Sequence, residues 1–385
     1  MRIGLDLRMI GGGSGIDTYI SELSHEILKQ DKRNQYVLFF RSDSLSEPFK
    51  QYQQAIVIAD IPHYSLAEQL EFPSVLRRAK LDLVHFPHFN VPIFYRRPFV
   101  VTIHDLTHTL IPGKKKSHFL HRLAYRLVFA NAVRRAKKII AVSQSTKKQI
   151  LDYYGGLSAQ RSSLGAKITV VYEGFKQLYS MMDKAEAFNK VSQKFGITKP
   201  FLLYVGVWRR YKNLPMLAEA FNRLREQGLD FELVLAGQPD KFYPEVEHKV
   251  LNIKYKADVR PVGRVSDEDL KLLYNASTLF VLPSLMEGFG LTALEAAACG
   301  VPVACSDIPT LREVMGQGAE YFDPENADNM VEVLHNVLSK KERLEELANL
   351  SLSRSKHFSW KQAAEETIAI YEARNPKHEI LNKSK

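Results

Sequence analysis

Cysteine is nearly absent: two in 385 residues, Cys299 and Cys305. That is too few for a disulfide framework and suits a reducing compartment. Long hydrophobic runs are missing too. No stretch reaches the roughly 18 uninterrupted apolar residues of a spanning helix. The N-terminal M-R-I-G-L-D-L passes quickly into glycine and charge, so neither a membrane span nor a secretory leader is expected. His, Cys, Asp and Glu nowhere fall at metal-ligand spacing, and no metal or other cofactor is expected. Zinc-finger spacing, an aromatic RNA-binding signature and a basic zipper are all lacking, which argues against a nucleic-acid partner. Negative charge is in deficit: 43 Asp and Glu against 53 Lys and Arg leave a net charge of +10. An anionic partner is favoured, either a diphosphate-bearing ligand or an anionic membrane surface.

What is present is ordinary globular composition, 45% hydrophobic and 25% charged, in a chain long enough for two cores. Short β-rich runs recur between helical stretches at 2–7, 36–40, 55–58, 83–86, 99–103, 138–142 and 168–172. A second series begins at 201–205 and continues at 231–236, 279–283 and 301–305. Such alternation predicts parallel sheets covered by helices on both faces. The chain is therefore read as an α/β protein with an N-terminal Rossmann-like domain over 1–175, a linker over 176–196 and a second Rossmann-like domain over 197–356. A crossing helix over 357–374 and a disordered tail over 375–385 complete it.

In open parallel sheets ligands bind beyond the carboxyl ends of the strands, where turns aim backbone N–H groups at anions. Three turns have that character. The first, V-L-P-S-L-M-E-G-F-G-L-T-A-L-E-A-A-A-C-G-V-P-V, carries Glu287 and Glu295 eight positions apart, with Gly288, Phe289, Gly290 and Leu291 between them. Carboxylates suit paired sugar hydroxyls because each oxygen accepts a hydrogen bond. The second, Y-V-G-V-W-R-R-Y-K-N-L, ends a strand at Gly206 and presents Arg209, Arg210 and Lys212 where a diphosphate can lie. The third, G-G-G-S-G at 11–15, offers backbone donors at Gly12 and Gly13 but lacks the spacing of a dinucleotide fingerprint. A fourth element, V-V-T-I-H-D-L-T-H, puts His104 just past the carboxyl end of a buried strand.

Together these pieces resemble the retaining glycosyltransferases of the GT-B fold, of the group 1 and family 4 type with an E-x7-E signature, and look most like bacterial mannosyltransferases. Supporting blocks are V-G-R-V-S-D-E-D-L at 262–270 and C-G-V-P-V at 299–303. The resemblance implies two facing Rossmann-like domains with an interdomain cleft and a C-terminal helix crossing back to the first domain. By the same resemblance the N-terminal domain takes the acceptor and the C-terminal domain the nucleotide sugar. Glu295 would hold the ribose, and Glu287 with the amides of Phe289, Gly290 and Leu291 the donor sugar and phosphates. Arg209 and Lys212 would hold the diphosphate, and the backbone at Arg264 and Val265 the base. His104 would touch the donor sugar, and the Gly12–Gly13 loop would close on phosphate or acceptor. Asp17 stands where the family often has glycine, and Tyr211 where it has a basic residue or histidine.

The expected reaction is metal-free hexosyl transfer with retention, GDP-mannose favoured over UDP-glucose or UDP-N-acetylglucosamine. The expected acceptor is a glycan or a polyprenyl-linked sugar in cell-surface polysaccharide assembly. The basic segment 118–148, interleaved with apolar and aromatic residues, either brings a cytoplasmic protein to the inner face of the plasma membrane or is a helix with a wet basic face packed on the sheet. A nicotinamide-dependent oxidoreductase and a non-enzymatic sugar-binding protein of the same fold are the rival readings.

Overall fold

The computed structural model describes residues 1–110 and 119–373. The expected disordered tail and the start of the basic segment lie outside the described residues. The chain divides into two compact units. The first holds Met1–Thr109 and the chain that leads to Gly174, and takes up the chain again from Ser359; the second holds Phe175–Phe358.

Unit 1 is built on seven strands: β1 (Arg2–Asp6), β2 (Gln35–Phe40), β3 (Ala55–Ile58), β4 (Leu83–Phe86), β5 (Phe99–Ile103), β6 (Lys138–Ala141) and β7 (Ile168–Val170). They pair in parallel in the order β3-β2-β1-β4-β5-β6-β7. Strands such as β5, F-V-V-T-I, are buried at every position, as befits a sheet covered on both faces. The helix Gly15–Gln30 starts at a Ser14 cap that accepts from the Asp17 amide, and it buries Tyr19, Ile20, Leu23 and Ile27 at helical spacing.

Unit 2 has six strands: β8 (Phe201–Val205), β9 (Glu232–Ala236), β10 (Val259–Gly263), β11 (Leu279–Leu282), β12 (Val303–Ser306) and β13 (Glu320–Phe322). Their order is β10-β9-β8-β11-β12-β13, again parallel. In each sheet the strand order reverses beside the unit's first strand, between β1 and β4 and between β8 and β11. Those switch points are where crevices open at the carboxyl edge.

One boundary differs from the sequence reading. Residues 176–196 do not form a linker: the chain enters unit 2 at Phe175, and the helix Lys184–Phe195 buries Ala187 and Val191 within that unit. Its Asp183 N-cap and left-handed Gly196 C-cap mark it as a regular element. The last helix, Trp360–Glu372, belongs to unit 1 as the crossing-helix reading expects. There the Tyr371 hydroxyl lies 2.6 Å from His85 Nδ1, Glu372 pairs with Arg33 at 2.7 Å, and the Lys361 carbonyl accepts from Gln30 at 3.2 Å.

Candidate functional site

At the switch point of unit 2 the turn after β8 meets the turn after β11. The Leu285 amide donates to the Tyr211 carbonyl at 2.8 Å, and Lys212 Nζ donates to Glu287 Oε1 at 2.7 Å. The Thr310 hydroxyl holds the Glu287 carbonyl at 3.0 Å, and the Asn213 side chain, on a left-handed residue (φ 56°), holds the Pro324 carbonyl at 2.7 Å. Both charged partners are largely buried, Lys212 with 18% of its side chain exposed and Glu287 with 11%. Burial works to lower the Lys212 pKa. The Glu287 carboxylate, then Tyr211 and Tyr204, more than offset that and leave it above the ordinary lysine value. The turn thus stores a fixed, desolvated cation beside a carboxylate that can exchange it for a ligand's anion.

Close backbone approach is built into this edge. A Cβ on Gly206 would stand 2.7 Å from the Tyr204 hydroxyl, and one on Gly237, past the end of β9, only 2.0 Å from the Gly206 carbonyl oxygen. Both residues have positive φ, 154° and 134°, so only glycine fits.

The two arginines of the β8 turn are held sideways. Arg209 Nε donates to Asp240 at 2.8 Å, and Arg210 Nε to Glu245 at 2.8 Å. Arg209 remains above the ordinary arginine pKa because Asp240 and Tyr211 outweigh its burial. Each arginine, like Lys212 on Glu287, must leave or share its carboxylate to reach a diphosphate.

Glu295 lies on the short helix Leu291–Ala298 and is buried, with Oε2 accepting from the Tyr274 hydroxyl at 2.9 Å. Burial pushes its carboxyl up to about 7, against the pull of the Tyr274 hydrogen bond and of Lys176, while Asp267 adds to the rise. Lys176 is paired to Asp267 at 2.6 Å, and the Tyr179 hydroxyl donates to the same carboxylate at 3.1 Å. The two glutamates therefore have different surroundings: Glu287 is paired with the Lys212 cation, and Glu295 is buried and accepts from the Tyr274 hydroxyl. Gly290 caps the helix at φ 99°, where a Cβ would meet Leu311 at 2.7 Å. The Phe289 ring is core, edge-on to Phe358 at 5.6 Å, so Gly288, Phe289 and Leu291 have backbone rather than side chains to offer a phosphate. Arg264 and Val265 stand just past the end of β10, before the Ser266 cap of the helix Asp267–Ala276.

The remaining candidates are in unit 1. His104 follows β5 and has both ring nitrogens engaged: Nδ1 lies 3.1 Å from Glu173 Oε1 and Nε2 2.9 Å from the Pro87 carbonyl. The Gly11 and Gly13 amides donate to Asp17 Oδ2 at 3.1 and 2.6 Å. The loop is thereby closed on an internal carboxylate. Sequence reasoning missed Tyr274, Lys176, Glu173 and Gly237. For Gly237 a signal existed, since β8, β9 and β10 each finish on or against a glycine. Among the described residues no group of three His, Cys, Asp or Glu side chains can hold a metal ion. No helix among them is long and apolar enough to cross a membrane.

Residues 13–176 match the family model Glycosyltransferase Family 4, and residues 186–351 match Glycosyl transferases group 1. The O-antigen chain mannosyltransferase B of Escherichia coli is 30% identical over 303 residues, which are 77% of this chain and 75% of that protein. The chain belongs to the group 1 and family 4 glycosyltransferases. The serotype-specific mannosyltransferase WbdA of Escherichia coli is 29% identical over 270 residues, 67% of this chain; the chain spans 32% of the length of that relative. Among solved structures, HepE of Anabaena in complex with UDP and glucose superposes with a TM-score of 0.75 at 17% identity, over 97% of this chain and 99% of that one. The glycosyltransferase has the GT-B fold.

Proposed function

We propose that this glycosyltransferase moves a mannosyl group from GDP-mannose to a glycan or polyprenyl-linked acceptor, with retention of anomeric configuration, in the assembly of a cell-surface polysaccharide. The observation that carries the sugar and the setting is the 30% identity to an O-antigen mannosyltransferase over three quarters of both chains. A UDP-sugar donor is the second reading, favoured by HepE, whose structures hold UDP or UDP-glucose.

In the chemistry proposed, the bond from the anomeric carbon to the diphosphate breaks and negative charge grows on the leaving oxygens. Lys212 leaves Glu287 to meet that charge, with Arg209 and the backbone at Gly290 and Leu291 in support. Glu287 then turns to the hydroxyls of the donor sugar, and Glu295 takes the ribose. The acceptor oxygen attacks from the face the diphosphate leaves, and its proton passes to a phosphate oxygen. No protein nucleophile and no divalent metal enter this scheme, because buried fixed charge does the metal's electrostatic work.

The proposed place of work is the cytoplasmic face of an anionic membrane. On the helix Phe119–Arg135, Leu123 and Leu127 are 43% and 55% exposed, one turn apart, next to exposed Arg122 and Arg126. Apolar side chains beside cations suit the boundary of an anionic bilayer. A thermal-shift panel of GDP-mannose, UDP-glucose, UDP-N-acetylglucosamine and NAD tests the donor. Stabilisation by GDP-mannose that is lost in Glu295→Ala is expected; stabilisation by NAD alone contradicts the reading.

A further inference from the structure

We propose that Glu173 is a positioning residue that keeps His104 doubly protonated, so that this histidine serves the transfer as a fixed positive charge at the carboxyl edge of the unit 1 sheet. The proposal rests on the transferase reading given above and on the expectation, from the family resemblance, that His104 touches the donor sugar.

Geometry carries the argument. A backbone carbonyl oxygen only accepts hydrogen bonds, so the nitrogen 2.9 Å from the Pro87 oxygen bears a proton. An ionised carboxylate oxygen also only accepts, so a charged Glu173 requires a proton on the nitrogen 3.1 Å from its Oε1 as well. A ring with two N–H groups is an imidazolium. The pair is sheltered, with 12% of the His104 side chain and 4% of the Glu173 side chain exposed, and the charge is weakly screened there. With both nitrogens engaged, the ring's contribution to a ligand is its charge.

The surroundings agree. Burial alone lowers the His104 pKa; the hydrogen bond and charge of Glu173, the Pro87 carbonyl and Asp105 reverse that and leave it raised. Tyr19 meets the ring edge-on at 4.5 Å, and the His88 ring lies 6.3 Å away. His85, on neighbouring β4, is pushed down to about 3 by burial and by the charge of His104, and binds Tyr371 and Thr102 as a neutral ring. Glu173 itself has little room to move. The next residue, Gly174, has its backbone so close to the returning chain that a Cβ would stand 2.2 Å from the Trp360 amide nitrogen. Trp360 in turn lies against Tyr19, ring centres 5.7 Å apart. The carboxylate is thus fixed where the chain leaves and re-enters unit 1.

The test is a pH titration of the His104 ring by nitrogen NMR in the full chain, with the signal assigned through His104→Gln. Two ring N–H groups persisting above the ordinary imidazole range near 6.5 are expected. Glu173→Gln should move the midpoint down by about one pH unit or more, and the alkaline limb of kcat should follow, with kcat about tenfold lower one unit above the new midpoint and KM little changed. A neutral His104 ring at pH 7, accepting from a protonated Glu173, overturns the proposal. So does a midpoint that Glu173→Gln leaves in place, or a kcat profile that stays put while the midpoint moves. If Glu173→Gln fails to fold, the wild-type titration decides. The titration needs no turnover, so failure of the transferase reading would show separately, as a correctly charged His104 in a protein that consumes no sugar nucleotide.

Discussion

Replacing Glu295 by glutamine should stabilise the protein at alkaline pH while weakening its hold on a nucleotide. The carboxyl is buried, and its pKa is raised from 4.5 to about 7. The folded protein therefore holds this proton more tightly than the unfolded chain does. The stability this contributes is complete below the unfolded value and is lost as pH climbs through the folded one. At about 1.4 kcal/mol per pH unit, the loss between pH 4.5 and 7 comes to about 3 kcal/mol. Glutamine keeps an oxygen to accept from Tyr274 and has no proton to lose, so it escapes that loss. Urea unfolding of both proteins at pH 5 and pH 8 should show a small difference at the lower pH. At the higher pH the variant should lead by about 3 kcal/mol. Calorimetry should show the variant binding a nucleoside diphosphate about ten- to a hundredfold more weakly, the worth of a hydrogen bond to a charged group. A stability difference that is the same at both pH values would refute the reasoning.

Four further outcomes are expected. Lys212→Met and Glu287→Gln should each destabilise unit 2 by about 3 kcal/mol, because each strands a buried partner; the double variant should cost clearly less than their sum, as denaturant unfolding would reveal. Lys212→Met should also lower kcat by about a hundred- to a thousandfold, the range for losing one fixed stabiliser of transition-state charge. Chelation with EDTA should leave donor turnover unchanged, and a loss restored by added magnesium would contradict the metal-free scheme. The protein should sediment with vesicles of anionic lipid at low salt and release as salt rises, and Leu123→Ser with Leu127→Ser should reduce that binding.

The central strands were plain in the sequence because burial on both faces writes itself as unbroken runs such as F-V-V-T-I and F-L-L-Y-V. The two strands of unit 2 that sequence reading missed, β10 and β13, are both at the sheet edge. One, V-R-P-V-G, carries an arginine and a proline that a central strand would not carry, and the other has three residues. The segment 176–196 passed for a linker because its helix buries only Ala187 and Val191, a faint stripe over a mostly polar surface. At the site, the turns were legible as glycine beside charge after a strand. Their pairings were not. That Lys212 faces Glu287 from 75 positions away, or Glu173 faces His104 from 69, is set by sheet order, which no local pattern records. Asp17 was visible beside the glycine run, yet its closure of the loop amides became clear only from the Gly11 and Gly13 hydrogen bonds.

The most direct test of the account is to incubate the protein with GDP-mannose and a polyprenyl-linked or glycan acceptor, follow GDP release, and read the anomeric configuration of the product by NMR. The account predicts acceptor-dependent GDP release, a product with the donor's own configuration, and loss of both in Lys212→Met. Inverted product, or turnover that survives Lys212→Met at the wild-type rate, would contradict it.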